Sequence, residues 1–174
     1  MAVIQKYAKF IHGKTFRDVS MTIFRSMLNE GGLSKRIDIV FDSYEKLSIK
    51  NIERLRRCST DFMSVGNILP GHKVGQFDKM LKQSENKTAL INHFVKEWQK
   101  DEYKNLLTPS NVLYIAAEGQ CWKVDATNST QVEELFSNEE EADTKMILHA
   151  KHASNQIKDI LKLLSFLMTL MFSF

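Results

Sequence analysis

The sequence predicts an α/β domain in which helices flank a mainly parallel sheet. Two short runs rich in β-branched and aromatic residues, 37–41 and 112–116, are separated by stretches whose apolar residues recur at helical spacing. A third run, 121–124, follows the second after only Glu118, Gly119 and Gln120, which reads as an added hairpin. The chain has 174 residues, 43% hydrophobic and 26% charged, which suits one packed domain and excludes a disordered chain.

The first helix is written in residues 15–30. Phe16, Val19, Ile23, Phe24, Met27 and Leu28 share one side, and Gly31-Gly32 stops the run. Ile37-Asp38-Ile39-Val40-Phe41 then reads as a buried strand with Asp42 at its carboxyl end. Ser48 suits the N-cap of a helix reaching Arg57, and Gly66, Pro70, Gly71 and Gly75 mark a loop. Leu90, Ile91, Phe94, Val95 and Trp98 define a helix over 86–100. Trp98, Trp122 and Tyr114 are expected in the core. The last helix is expected over 139–154, with His149 and His152 as surface residues complementing its dipole.

A net charge of +3 permits a nucleic-acid partner without demanding one. Cys58 and Cys121 are isolated thiols, which argues for a reducing compartment and against a disulfide scaffold. No apolar signal segment follows Met1, so an intracellular location, nuclear or cytoplasmic, is expected. The sequons at Asn86 and Asn128 are then coincidental. No small-molecule ligand is indicated.

The chemistry lies in acid placement. Ligands of open α/β sheets gather at the carboxyl ends of strands, where Asp42 sits. Glu139, Glu140, Glu141 and Asp143 stand at the start of the last helix, where the helix dipole favours negative charge. If that helix begins beside Asp42, the acids could share Mg²⁺ or Mn²⁺ through oxygen ligands. A competing explanation is purely local: Ser137 and Glu140 have capping-box spacing, and a strand-end Asp often caps a turn. Lys50, Arg54 and Arg57 share one helical face that could hold a phosphate or simply be solvated.

Together, Val40-Phe41-Asp42, the Ser48-to-Arg57 segment with its Lys50, Arg54 and Arg57, and Ser137-Asn138-Glu139-Glu140-Glu141-Ala142-Asp143-Thr144-Lys145 resemble a group of largely uncharacterised animal proteins spread with mobile elements. That group is similar to PIN-like and flap-endonuclease-like nucleases. The resemblance covers residues 35–155 and implies a PIN-like domain over 1–156. It implies Asp42, Glu141 and Asp143 as metal ligands, with Glu140 as a substitute, and Mg or Mn as cofactor. It implies Lys50 and Arg54 as catalytic phosphate contacts, with Arg57 beside them on nucleic acid.

One departure bears on activity. Relatives end their next strand in Ser-(Pro or Asp)-Asp-Thr-Asp-Val, which completes the metal site, and residues 157–174 are instead an aberrant apolar tail. Read one base out of frame, Met168-Thr169 must give Asp and Met171-Phe172 must give Val. The intervening codons accommodate Ser-Asp-Asp-Thr-Asp-Val in order. A frameshift or a misread intron near residues 160–164 and an incomplete domain are therefore expected, with little or no turnover. The fifteen residues 160–174, apolar apart from Lys162, Ser165, Thr169 and Ser173, also fall short of the roughly 20 apolar residues that a membrane span needs. By helix propensity the tail is expected to form a loosely held helix or irregular chain where a central strand belongs.

Overall fold

The computed structural model describes residues 14–44 and 68–156, together with the backbone of Phe166–Leu170. Helix α1 (Phe16–Gly31) begins at a capping box: Asp18 N donates to Thr15 Oγ1 while Thr15 N donates to the Asp18 carboxylate. It ends at Gly32, whose φ of 52° is readily available only without a Cβ. Strand β1 (Arg36–Phe41) follows at once, and a side chain on Gly31 would run into Ile37. The tight step from α1 into β1 therefore depends on both glycines.

After a short helix α2 (Phe77–Met80) comes the long helix α3 (Ser84–Trp98), then a single turn of helix, α4 (Asp101–Lys104). Strands β2 (Val112–Ala117) and β3 (Gln120–Val124) form the expected hairpin, and β4 (Ser129–Gln131) extends it. A 3₁₀ turn (Glu133–Leu135) leads towards helix α5 (Ala142–Gln156), and β5 (Phe166–Leu170) comes last.

The sheet order is β4-β3-β2-β1-β5. It is mixed: β1 lies parallel to β2 and to β5, whereas β2–β3 and β3–β4 are antiparallel. The α/β class follows, with parallel pairing confined to the neighbours of β1 among the described residues.

Alternation along β1 divides two cores. Ile37, Ile39 and Phe41 join Leu113 and Ile115 under α1 and α3, where Phe94 and Trp98 stack with centroids 5.1 Å apart. Trp98 donates its indole N–H to Ser20 Oγ at 3.0 Å, so the largest buried ring leaves no orphaned donor. On the opposite face Val40, Tyr114, Ala116 and Cys121 pack with Leu135 and Ala142 beneath α5. Trp98 and Tyr114 are core residues as expected, and Trp122 is partly buried against the larger core.

Three expectations need correction. The last helix begins at Ala142 rather than 139, and Ser137 Oγ accepts from Glu139 N in a local turn instead of capping that helix. His149 is fully buried, as described below, and is no surface residue. Phe166–Leu170 is a strand, not a helix, in register with β1 from Ile37↔Phe166 to Phe41↔Leu170. Backbone pairing to β1 outweighs the helix preference of Leu and Met, and among the described strands β5 lies at the edge of the sheet rather than inside it.

Candidate functional site

The carboxyl end of β1 and the first turn of α5 meet through one side chain. Asp42 Oδ1 accepts a hydrogen bond from Ala142 N at 2.9 Å, and Ser43 N donates to Glu140 O at 2.9 Å. The four first N–H groups of any helix lack intrahelical acceptors, and Asp42 satisfies one of them from 100 residues away in sequence. Glu141 and Asp143 flank that contact on the exposed side.

The electrostatics follow from that proximity. Burial pushes the Asp42 carboxyl above its ordinary value, and the charges of Asp143 and Glu141 push the same way. The Ala142 N–H and the Lys145 ammonium pull it back without cancelling the rise.

Lys145 is the residue that sequence reasoning passed over. It is buried, and its ammonium donates to Phe41 O at 3.0 Å and to Ser43 Oγ at 2.7 Å, bracketing Asp42 on both sides. Burial lowers its pKa, while Asp42, Glu118 and Glu139 favour its charged form. Glu118 enters through the hairpin. It takes φ 48° and Gly119 takes φ 78°, the doubly positive pair of a tight β-turn. Gly119 O accepts from Ser137 N at 3.1 Å, so the hairpin tip rests on the segment leading into α5. Glu118 is exposed, yet neighbouring protein desolvates its carboxyl enough to raise its pKa, against the pull of Lys145.

A second polar cluster lies along the same helix, four residues back on the same face of β1. Asp38, 1% exposed, receives two hydrogen bonds from Arg36, from Nε and Nη2, each 2.7 Å. His149 Nδ1 lies 2.7 Å from Asp38 Oδ1 and carries the hydrogen in that bond, since an ionised Asp38 can only accept. Burial opposes the charge on Asp38, but the bonds from His149 and Arg36 outweigh it and hold the carboxyl below its ordinary value. Arg36 reaches on to His152 Nδ1 at 3.1 Å and Gln156 Oε1 at 3.2 Å, with its guanidinium 3.9 Å over the Tyr114 ring. The clamp fixes α5 lengthwise on β1, and with it the position of Ala142 beside Asp42.

Of the residues singled out from sequence, the structure brings together Asp42, Glu140, Glu141 and Asp143. Lys50, Arg54 and Arg57 lie outside the described residues, as does Cys58. Asn86 is buried in α3 and donates to Met80 O, in line with a coincidental sequon. The acids do not fit a metal as a ligand set: among the described residues no three His, Cys, Asp or Glu side chains converge on one cation position. One oxygen of Asp42 is committed to the helix, and a lysine ammonium already lies against its flanks. No helix among the described residues is long and apolar enough to cross a membrane. Comparisons with protein-family models, with curated proteins and with solved structures find no match for this chain.

Proposed function

We propose that this chain is a relative of PIN-like, divalent-metal-dependent nucleic-acid phosphodiesterases and is itself inactive or nearly so. The observation that carries the reading is the bond between Asp42 and Ala142 N, which sets a strand-end acid against the helix start bearing Glu141 and Asp143. In a parent enzyme those carboxylates would hold Mg²⁺ or Mn²⁺, and the basic segment with Lys50, Arg54 and Arg57 would receive the phosphate. In this chain the sequence of Phe166–Leu170 brings no carboxylate to the strand beside β1. Loss of part of a unit that acts together removes most of its rate.

The second reading is a non-catalytic module that binds nucleic acid or protein. The buried Lys145 favours it, because a cation fixed among the acids suits a site that has stopped using metal. A tail anchor in the membrane ranks below both.

The test compares the 174-residue chain with a version returned to frame near residue 160, on labelled DNA and RNA with Mg²⁺ or Mn²⁺. The unaltered chain should leave both intact. The repaired chain should cleave, and Asp42→Ala in it should abolish cleavage. A repaired chain that folds and neither cuts nor loses anything on Asp42→Ala sinks the nuclease reading. Metal-independent, salt-sensitive binding by both chains would mark the non-catalytic module.

A further inference from the structure

We infer that His152 is an acid-sensitive latch: while its imidazole is neutral it ties the last turns of α5 to β1 through Arg36, and protonation releases them. The device stands whatever the strand-end acids bind.

The tautomer follows from the contacts. Arg36 Nη1 lies 3.1 Å from His152 Nδ1, and a guanidinium can only donate, so Nδ1 must accept and the neutral ring carries its hydrogen on Nε2. The other tautomer would turn an N–H towards the guanidinium in exchange for a longer bond from Gln156 Nε2, 3.4 Å from His152 Nε2. A charge-assisted bond outweighs that neutral one. Imidazolium carries hydrogen on both nitrogens, so one added proton removes the acceptor and sets a second positive charge against Arg36. His149 behaves differently. Its nitrogen facing Asp38 already bears a hydrogen, so protonating the ring elsewhere leaves that bond in place. Of the two histidines on this face of α5, His152 is the one whose bond a proton cancels.

The surroundings favour the neutral ring. Arg36 and Asp38 face it from β1, Tyr114 from β2 with its ring edge-on at 5.9 Å, Glu134 from the 3₁₀ turn, and His149 and Gln156 from α5 itself. Burial and the Arg36 charge lower its pKa, His149 adds to them, and Glu134 and Asp38 oppose the fall without cancelling it. The latch's contribution is therefore complete above the ordinary histidine value of 6.5 and is lost as pH falls through the lower folded value. Arg36 keeps its two bonds to Asp38 in either state. What lets go is the far end of α5, the turns before the chain returns to the sheet at β5. The start of the helix stays held by Asp42 on Ala142 N and by Asp38 on His149.

Amide exchange along α5 of the full chain tests this, expressed as protection factors so that the intrinsic effect of pH drops out. From about pH 7.5 to about pH 5, wild-type protection over 150–156 should fall about tenfold, the loss of one hydrogen bond from a charged donor, with 142–148 unchanged. His152→Asn offers Oδ1 where Nδ1 stood and does not titrate, so its protection should stay level. Asp42 and Glu118, whose carboxyls burial raises, titrate in both proteins and drop out of the comparison. The same fall in His152→Asn, a fall spread evenly along α5, or no fall in the wild type would overturn the latch. Nitrogen chemical shifts of the His152 ring test the geometry in the unsubstituted chain, and should show its hydrogen on Nε2 at about pH 8. Hydrogen on Nδ1 would overturn the latch without recourse to any variant.

Discussion

Asp42 is asked to cap a helix while carrying a charge that its surroundings disfavour. Its pKa is raised in the folded state, so the stability it lends is complete below the ordinary carboxyl value of 3.8 and is lost as pH rises through the higher folded value. Asp42→Asn keeps an acceptor for Ala142 N and removes the charge. It should therefore melt above wild type at neutral pH, by less than about 1 kcal/mol because the group is partly solvated, and the difference should vanish in acid. Asp42→Ala loses the cap as well and should cost about 0.5–2 kcal/mol by chemical denaturation. Asp38 has the opposite sign. Its lowered pKa contributes stability above the ordinary carboxyl value, lost as pH falls through the folded one. Asp38→Ala leaves Arg36 and His149 without their acceptor and should cost about 3–5 kcal/mol at neutral pH. The meeting of Asp42 with Glu141 and Asp143 was legible in the sequence, because strand ends and first turns are positions with known chemistry. Lys145, Glu118 and the Asp38–His149 pair were not. A helical lysine and a turn glutamate look solvated in one dimension, and Asp38 and His149 are 111 residues apart. An aspartate inside an otherwise apolar strand was nonetheless a signal that some buried partner had to exist.

At the level of elements, α1, β1, α3 and the β2–β3 hairpin could be read because each has clear periodicity or turn chemistry. The three-residue strand β4 and the short helices α2 and α4 have no such pattern and are held by their neighbours. The start of α5 was misplaced by three residues, since the acids before Ala142 are good first-turn residues and only the cap from Asp42 fixes the true beginning. The β2–β3 turn offers a direct test. Glu118→Asn supplies the residue best suited to its positive φ and removes a desolvated carboxyl, so it should stabilise the domain by about 1 kcal/mol in a denaturant titration. Gly31→Ala should do the reverse, costing about 1–3 kcal/mol, because its new methyl collides with Ile37 at the turn into β1.

For the whole molecule, β1 is the hub, apolar on one face and bearing Asp38 and Val40 on the other, with a strand on each side. The expected class, α/β with strands among helices, holds at this scale. The tail was misjudged because propensity says nothing about a vacant strand edge. Removing residues 157–174 should open that edge of β1. The shortened chain should self-associate on size exclusion and lose amide-exchange protection along 36–41. Protection there unchanged by the deletion would show that β5 adds nothing to the sheet.

The pairing order of β1 also carries a consequence for synthesis. Its first partner, β2, begins at Val112, 71 residues after β1 ends at Phe41. A ribosome adding about 5–20 residues per second therefore leaves roughly 4–14 s in which β1 waits for β2, its first partner among the described strands. Through that interval α1 is the main local cover for Ile37, Ile39 and Phe41, joined to them by the Gly31-Gly32 turn. Nascent chains are thus most exposed to chaperone capture or misassociation after β1 emerges and before β2 does, and variants that loosen the α1–β1 turn should lower the yield of folded protein more than their equilibrium stability suggests.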